Sequence, residues 1–327
     1  MKRILTILRH GEAETYNPGG DAVRQLTEKG KLDAFRVGAF LGQSELYPDR
    51  IEVSSAIRAV STAEKMHKSM LPDRKPAFII NPGLYNAPLE TLTDIVAQQS
   101  DDAHHVMIVG HNPGLTSLIN QIAGQDLRAK RIFPSLAPAS LAIIEGDGPW
   151  RDLAAGAGRV VQLKDAWQLP QDFPWPDNKG TERRERPDYF YRQSSVIPYR
   201  ISKNGKIEIL LVMSGSGKNL VIPKGAIEPG MNASESAAKE ALEEAGAIGT
   251  PAPTPIGRYE YDKWGAPCTV EVFAMPVDRL LPEKQWEESF RTRKWYGGAA
   301  AVEAIKRDGL KDILNRFIQD APLRKPS

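Results

Sequence analysis

The tetrapeptide Arg9-His10-Gly11-Glu12 follows the apolar run Ile4–Leu8, and a second histidine, His111, follows the run Val106–Val109 within Val109-Gly110-His111-Asn112-Pro113-Gly114. Between them lies Ser54–Ala63, with Arg58 near the start of a predicted helix. Each apolar run reads as a buried strand, so both histidines fall at strand carboxyl ends, where α/β folds gather their sites. Arginine forks match phosphate oxygens bidentately, and helix N-termini add backbone N–H donors. A neutral imidazole flanked by fixed positive charge resists protonation and stays a nucleophile toward phosphorus. The arginines and second histidine would neutralise the transferring group without a metal. An Arg-His pair at a strand end is common, and only the joint pattern carries weight.

A second group uses carboxylates. In residues 221–247, Asn232 is a good N-cap and Glu235 completes a capping-box-like start. Ala238, Ala241, Leu242 and Ala245 then share one helix face. Glu240, Glu243 and Glu244 fall on the opposite, exposed face within about 100° of arc. Gly246 is a natural C-terminal stop. Most such acidic runs are solvated faces. Three glutamates this close repel one another unless a cation joins them, and hard ions such as Mg²⁺ prefer carboxylates.

The elements that would position these groups form two domains. The chain has 327 residues, 41% hydrophobic and 26% charged, as in soluble globular proteins. A net charge of +2 excludes the basic field of a dedicated nucleic-acid binder, so no nucleic-acid polymer is expected as a partner. All five histidines lie in the first 111 residues, so the two halves run different chemistry. The apolar run Ile4–Leu8 is too short for a signal peptide or membrane span, and no membrane partner is expected. The single cysteine, Cys268, excludes an intramolecular disulfide and a Cys-rich zinc site, and a cytoplasmic location is the default. Residues 1–168 alternate strand-like runs with helical stretches such as Leu32–Leu41 and Leu115–Ala123. From Leu169 to about 189, Pro170, Pro174, Pro176 and Pro187 alternate with charged and polar residues, which reads as a linker without a core. Residues 190–327 form the second domain, opening with a hairpin of Ser195–Ile201 and Ile207–Met213 around Asn204-Gly205.

Leu8–Glu12, Asp21-Ala22-Val23-Arg24-Gln25-Leu26-Thr27, Ser54–Ala63 and Val109–Gly114 together resemble the histidine phosphatase superfamily, most fully its compact SixA-type phosphohistidine phosphatases. The resemblance covers nearly all of residues 1–165 and implies an α/β domain with a mostly parallel sheet flanked by helices. It implies His10 as the nucleophile that becomes phosphohistidine. Arg9, Arg58 and His111 would bind the phosphoryl oxygens, joined by Arg24. Asn112 would cap the following helix. Gln25 stands where the family more often has proline. About fifty residues separate Thr62 from His111, too few for the inserted segment that carries the acid in larger members. Glu12 and Glu90 remain as candidate acids. A phosphohistidine leaving group would need less acid assistance than an alkoxide.

Gly225, Glu240, Glu243, Glu244 and Gly246 match the Nudix box, G-x5-E-x7-R-E-U-x-E-E-x-G-U, so this half resembles the Nudix hydrolases. That implies an α/β/α sandwich with a mixed sheet and a Mg²⁺ or Mn²⁺ site on Glu240, Glu243 and Glu244. Glu240 and Glu243 would share the base chemistry. Met231 stands where the box has glutamate, and Lys239 replaces its arginine. Lys239 reaches Glu243 at i, i+4, but as a point charge without a fork. Pro198-Tyr199-Arg200, Pro223-Lys224-Gly225, Gly257–Tyr261, Trp286-Glu287-Glu288 and Arg291–Trp295 look like the diadenosine and diphosphoinositol polyphosphate hydrolases. Lys224, Ser214 and Lys218 would then hold substrate phosphates.

The two resemblances imply a bifunctional phosphohydrolase. A metal-free phosphatase would act on small phosphorylated compounds or a phosphohistidine-bearing protein. A metal-dependent site would cleave a nucleoside or inositol diphosphate linkage. A phosphatase whose Nudix half only senses a nucleotide is the alternative, and a scaffold with neither site active is a third reading.

Overall fold

The computed structural model describes residues 1–70, 76–132 and 134–320, so positions 321–327 of the expected second domain lie outside the described residues. Contacts divide the chain into two units, Met1–Pro187 and Asp188–Ser327.

The first unit runs β1 (Lys2–Arg9), α1 (Glu28–Gln43), β2 (Arg50–Ser54), α2 (Ile57–Met70), β3 (Ala77–Asn81), α3 (Leu89–Ala97), β4 (His105–Gly110), α4 (Gly114–Lys130), β5 (Leu141–Asp147), the one-turn α5 (Trp150–Asp152) and β6 (Arg159–Lys164). The sheet order is β3-β2-β4-β1-β5-β6. The first four strands are parallel, and β5 and β6 run antiparallel. Helices cover both faces, so β1 reads as a continuous apolar run. Its Leu5 and Ile7 pack with Leu115, Leu118 and Ile122 of α4. Leu8 faces the other way, toward Val37 and Leu41 of α1 and Ala59 and Met66 of α2. β1 and β4 are paired in register through Arg9 and Gly110, which leaves His10 and His111 leaving the sheet side by side.

The proline-rich stretch after residue 168 differs from the expected linker. Leu169 and Phe173 are buried, β7 (Phe173–Trp175) pairs with β8 (Glu182–Arg184), and the Asn178 side-chain amide donates to the Ser69 and Met70 carbonyls at 3.2 and 2.8 Å. Arg184 stacks over Trp175 at 3.5 Å. The aromatics between the prolines supply an apolar anchor, and the prolines stiffen the ribbon that carries it.

The second unit contains β9 (Arg192–Ile201), β10 (Ile207–Met213), β11 (Leu220–Val221), β12 (Lys224–Ala226), α6 (Ala233–Ala245), β13 (Ala247–Gly249), β14 (Gly257–Lys263), β15 (Ala266–Leu280), β16 (Arg293–Gly297), α7 (Gly298–Ala304) and α8 (Asp308–Asp320). β9 and β10 form the expected hairpin, whereas β9 and β15 pair in parallel, so the sheet is mixed. Alternate residues face opposite layers. Val196, Leu210 and Phe273 meet Ala237, Ala241 and Ala245 of α6. Ile197, Ile209 and Val272 meet Ala301 of α7, Ile305 and Leu310 of α8. This is the expected α/β/α sandwich.

The capping box of Asn232 and Glu235 forms, and Gly246 ends α6 in the left-handed conformation. The helix is nevertheless rotated from the face read in the sequence. Its buried residues are Ser236, Ala237, Ala241, Glu244 and Ala245, while Leu242 is 40% exposed. An alanine seam at i, i+4 and i+8 lets the helix approach the sheet closely, which a leucine on that face would prevent. Glu244 thereby turns inward instead of facing solvent. Among the described residues no helix is long and apolar enough to cross a membrane.

Candidate active sites

In the first unit the residues expected to act together do converge. The His10 Nδ1–H donates to the Gly11 carbonyl at 2.7 Å, since a carbonyl only accepts. Nε2 therefore carries the lone pair, and Arg58 Nε donates to it across 3.3 Å. Arg58 also reaches His111 Nδ1 at 3.4 Å, and the His111 Nε2–H then donates to Ser54 Oγ at 2.7 Å. The two imidazole rings lie 5.0 Å apart. The Gly11 amide donates to Thr62 Oγ1 at 2.9 Å, tying the turn after β1 to α2.

Burial, followed by the charges of Arg58, Arg9 and Arg24, lowers the His10 pKa from 6.5 to about 4 against the opposing Gly11 hydrogen bond. Burial, then His10 and Arg58, lowers His111 to about 3. Both rings are therefore neutral at physiological pH. Arg9 donates to the Leu136 carbonyl at 2.7 Å, but its buried Nε has no hydrogen-bond partner. A buried guanidinium donor left unpaired beside a neutral imidazole is an environment an incoming oxyanion would satisfy.

Several placements differ from the sequence reading. Arg24 reaches the cluster through Asp21, to which it donates at 2.7 Å. Asn112 does not cap α4, whose N-cap is Pro113. Its amide instead donates to the Leu136 carbonyl at 2.8 Å, sharing that acceptor with Arg9. Glu12 accepts from Thr27 Oγ1 at 2.8 Å, and Glu90 lies in the first turn of α3. Asp21 and Tyr85 were not singled out in the sequence. Asp21 accepts from Arg58 at 2.8 Å and from Tyr85 Oη at 2.7 Å. The hydrogen bonds from Tyr85 and Arg24, followed by Arg58, hold the Asp21 carboxyl well below the ordinary range. Its place three residues before Arg24 was the available signal, whereas nothing local marked Tyr85. A pocket of 240 Å³ opens beside His111, walled by Ala87, Pro88, Leu89, Pro113 and Ser117.

In the second unit the three glutamates are neighbours but do not converge. Glu243 is held by Lys239 at 2.9 Å, and Glu244 by Arg291 at 2.8 Å and the Lys224 amide at 3.1 Å. Glu240 makes no hydrogen bond or ion pair among the described residues. Burial first, then the charges of Glu244 and Glu243, push its pKa up to about 8. Burial likewise raises Glu244, against the opposing charge of Arg291. Among the described residues no three His, Cys, Asp or Glu side chains are arranged to hold a metal ion, which departs from the expected three-ligand site. The charges are offset separately, Glu243 by Lys239 and Glu244 by Arg291. The donor set itself fits a hard divalent ion: carboxylates only, one of them uncompensated. Gly225 leaves room for the Glu240 carboxylate, since a Cβ there would meet its Oε1 at 1.9 Å.

Beside these carboxylates lies a cavity of 590 Å³ whose wall includes Lys224, Lys263, Arg291, Lys306 and Arg307 together with Glu244. Ser214 lines it and Lys218 does not. Lys224 Nζ donates to Gln193 Oε1 at 2.9 Å and Tyr261 Oη at 2.7 Å, and burial lowers its pKa. Arg307 stacks over Tyr261 at 3.9 Å. Lys263, Lys306 and Arg307 were missed because they come from β14 and the α7–α8 turn, remote in sequence from the box.

No family model matches the chain. It is 36% identical over 139 residues to Nudix hydrolase 16, mitochondrial, of Arabidopsis thaliana, covering 37% of this chain and 76% of that protein. The protein histidine phosphatase SixA complexed with tungstate aligns with a TM-score of 0.44 at 18% identity, covering 51% of this chain and 99% of that one. The Ap4A hydrolase of C. elegans aligns with a TM-score of 0.35 at 21% identity, covering 40% and 98%.

Proposed function

Because the chain belongs to the Nudix hydrolases, we propose that this hydrolase carries two separate sites, a metal-free phosphatase built on His10 and a divalent-metal diphosphate hydrolase built on the box glutamates. The observation that carries the first site is the fixed tautomer of His10, with Nδ1–H on Gly11 and Nε2 facing Arg58. Nε2 attacks phosphorus, the Nε2–P bond forms, and the bond to the leaving group breaks with its electron pair departing on that group. Water then attacks the same phosphorus, releasing orthophosphate and returning the lone pair to Nε2. Arg58, Arg9 and His111 offset charge on the transferring oxygens. Arg24 acts on this cluster through Asp21. A phosphoramidate, as in phosphohistidine, suits a site without an evident strong acid.

In the second unit Glu240, Glu243 and Glu244 would hold Mg²⁺ or Mn²⁺, which would supply charge neutralisation and an activated water. Lys224, Arg291, Lys263 and Arg307 favour a polyanionic substrate, of which a nucleoside or inositol diphosphate is one class. Glu240 and Glu243 would share the base chemistry. The single cysteine is compatible with a reducing compartment such as the cytoplasm.

The test uses the intact chain with a phosphomonoester or phosphohistidine peptide in one assay and a dinucleoside polyphosphate in another. His10→Ala should remove only the first activity, and Glu240→Gln or a chelator only the second. Near-normal phosphatase turnover in His10→Ala would remove the first half of the proposal. Tight nucleotide binding without cleavage in Mg²⁺ or Mn²⁺ would replace the second half with a sensor.

A further inference from the structure

The two departures from the Nudix box, Met231 and Lys239, each reach Glu228, one through its backbone amide and the other through its side chain. Lys239 Nζ stands 3.1 Å from Glu228 Oε1 and 2.9 Å from Glu243 Oε1. Residues Glu228-Pro229-Gly230-Met231 form a turn closed by the Met231 amide on the Glu228 carbonyl at 3.0 Å. Proline at the second position and a left-handed Gly230, φ 87°, are what a type II turn requires. The first and fourth residues of such a turn are neighbours in space, with their Cα atoms less than about 7 Å apart. A carboxylate absent at Met231 therefore has a near-equivalent station at Glu228.

The cation at 239 is suited to that exchange. Arginine presents a planar fork whose partners must lie along fixed directions. Lysine is a compact point charge with three rotatable donors, so it accepts partners from a displaced origin. Lys239 uses this freedom to bridge the turn before α6 and Glu243 within it. Its bond to Glu243 is through Oε1 at 2.9 Å, which fixes that side chain.

We propose that Glu228 replaces the missing box glutamate, acting as a positioning residue that holds Lys239, and through it Glu243, in the orientation the metal site needs. The inference rests on the Nudix half being a metal-binding hydrolase. It goes beyond that reading by assigning a role to a residue outside the motif and by explaining why Met231 is tolerated.

The experiment uses the intact chain with Glu228→Gln, Met231→Glu, and the two combined, measuring Mn²⁺ binding directly by titration and diphosphate cleavage in parallel. Glu228→Gln should weaken Mn²⁺ binding and slow cleavage, each by about tenfold, with thermal stability little changed. Met231→Glu alone should leave both near wild type. In the combined variant the restored carboxylate should bring Mn²⁺ binding back to within about threefold of wild type, a rescue that a purely structural role at 228 would not give. Unchanged Mn²⁺ binding in Glu228→Gln, or no rescue in the combined variant, would overturn the assignment. Wild-type chain that binds Mn²⁺ but cleaves no diphosphate would refute the hydrolase reading while the binding series still decides the role of Glu228. If Glu228→Gln proves poorly folded, Glu228→Asp replaces it and should recover part of the Mn²⁺ affinity; equal loss of affinity and fold in both variants would overturn the assignment.

Discussion

Arg58 Nε points its hydrogen at Nε2 of His10 across 3.3 Å, and with Nδ1 committed to the Gly11 carbonyl this leaves Nε2 as the nitrogen with the free lone pair. Burial first, and then the charges of that guanidinium, Arg9 and Arg24, lower the affinity of Nε2 for a proton. The free enzyme's kcat/KM for a phosphoramidate substrate should therefore be nearly flat from neutrality down to about pH 5, one unit above the shifted value near 4. An acid limb centred near 6.5, the ordinary histidine value, would show that His10 is not shielded in this way.

Stability should respond to acid for the same reason. His105 is buried with Nε2 at 2.8 Å from Thr6 Oγ1, and burial lowers its pKa to about 4. A histidine with a lowered folded pKa binds more protons when unfolded. Its contribution is fully present above the unfolded value of 6.5 and is lost as pH falls toward the folded value. Between pH 7 and 5 the loss from His105 alone should be about 2 kcal/mol, and His10 and His111 act in the same direction. Urea denaturation of wild type and His105→Gln at both pH values measures it. A wild-type slope no steeper than that of the variant would contradict the assignment.

Phe173 should be a core residue of the first unit and not a linker side chain. It is 1% exposed, so Phe173→Ala should destabilise that unit by about 3–5 kcal/mol. Chemical denaturation of residues 1–187 reads this directly, and a loss below about 1 kcal/mol would mean the ribbon is not anchored there.

This anchor marks one limit of reading the sequence. The apolar runs Ile4–Leu8 and Val106–Val109 placed β1 and β4, and with them His10 and His111, because buried parallel strands are locally apolar. The hairpin around Asn204-Gly205 and the capping box at Asn232 were equally local. What local pattern did not reveal depends on contacts distant along the chain. Tyr85 meets Asp21 from 64 positions away, Asn178 meets Met70 from 108, and the alanine seam of α6 is decided by the sheet beneath it. The three glutamates were placed on the right helix, but their separate pairings with Lys239 and Arg291 depend on which cations fold beside them.

Gly225 should be needed for space and not for backbone freedom. A methyl group there meets the Glu240 carboxylate at 1.9 Å, so Gly225→Ala must displace that side chain. Metal-dependent diphosphate cleavage should fall at least tenfold, about 1.4 kcal/mol or more in the barrier, while the melting temperature moves only slightly. Unchanged cleavage in Gly225→Ala would show that the present position of Glu240 is not the working one.

The covalent step tests the account most directly. Intact chain incubated briefly with a phosphoryl donor, quenched in base and mapped by mass spectrometry, should carry phosphate on His10, labile to acid and stable to base. Arg58→Ala should carry far less, because the donor fixed on Nε2 and the charge facing the transferring oxygens are both gone. Phosphate found on Ser54 or Ser55, or steady turnover with no histidine label trapped under any quench, would contradict the phosphohistidine mechanism.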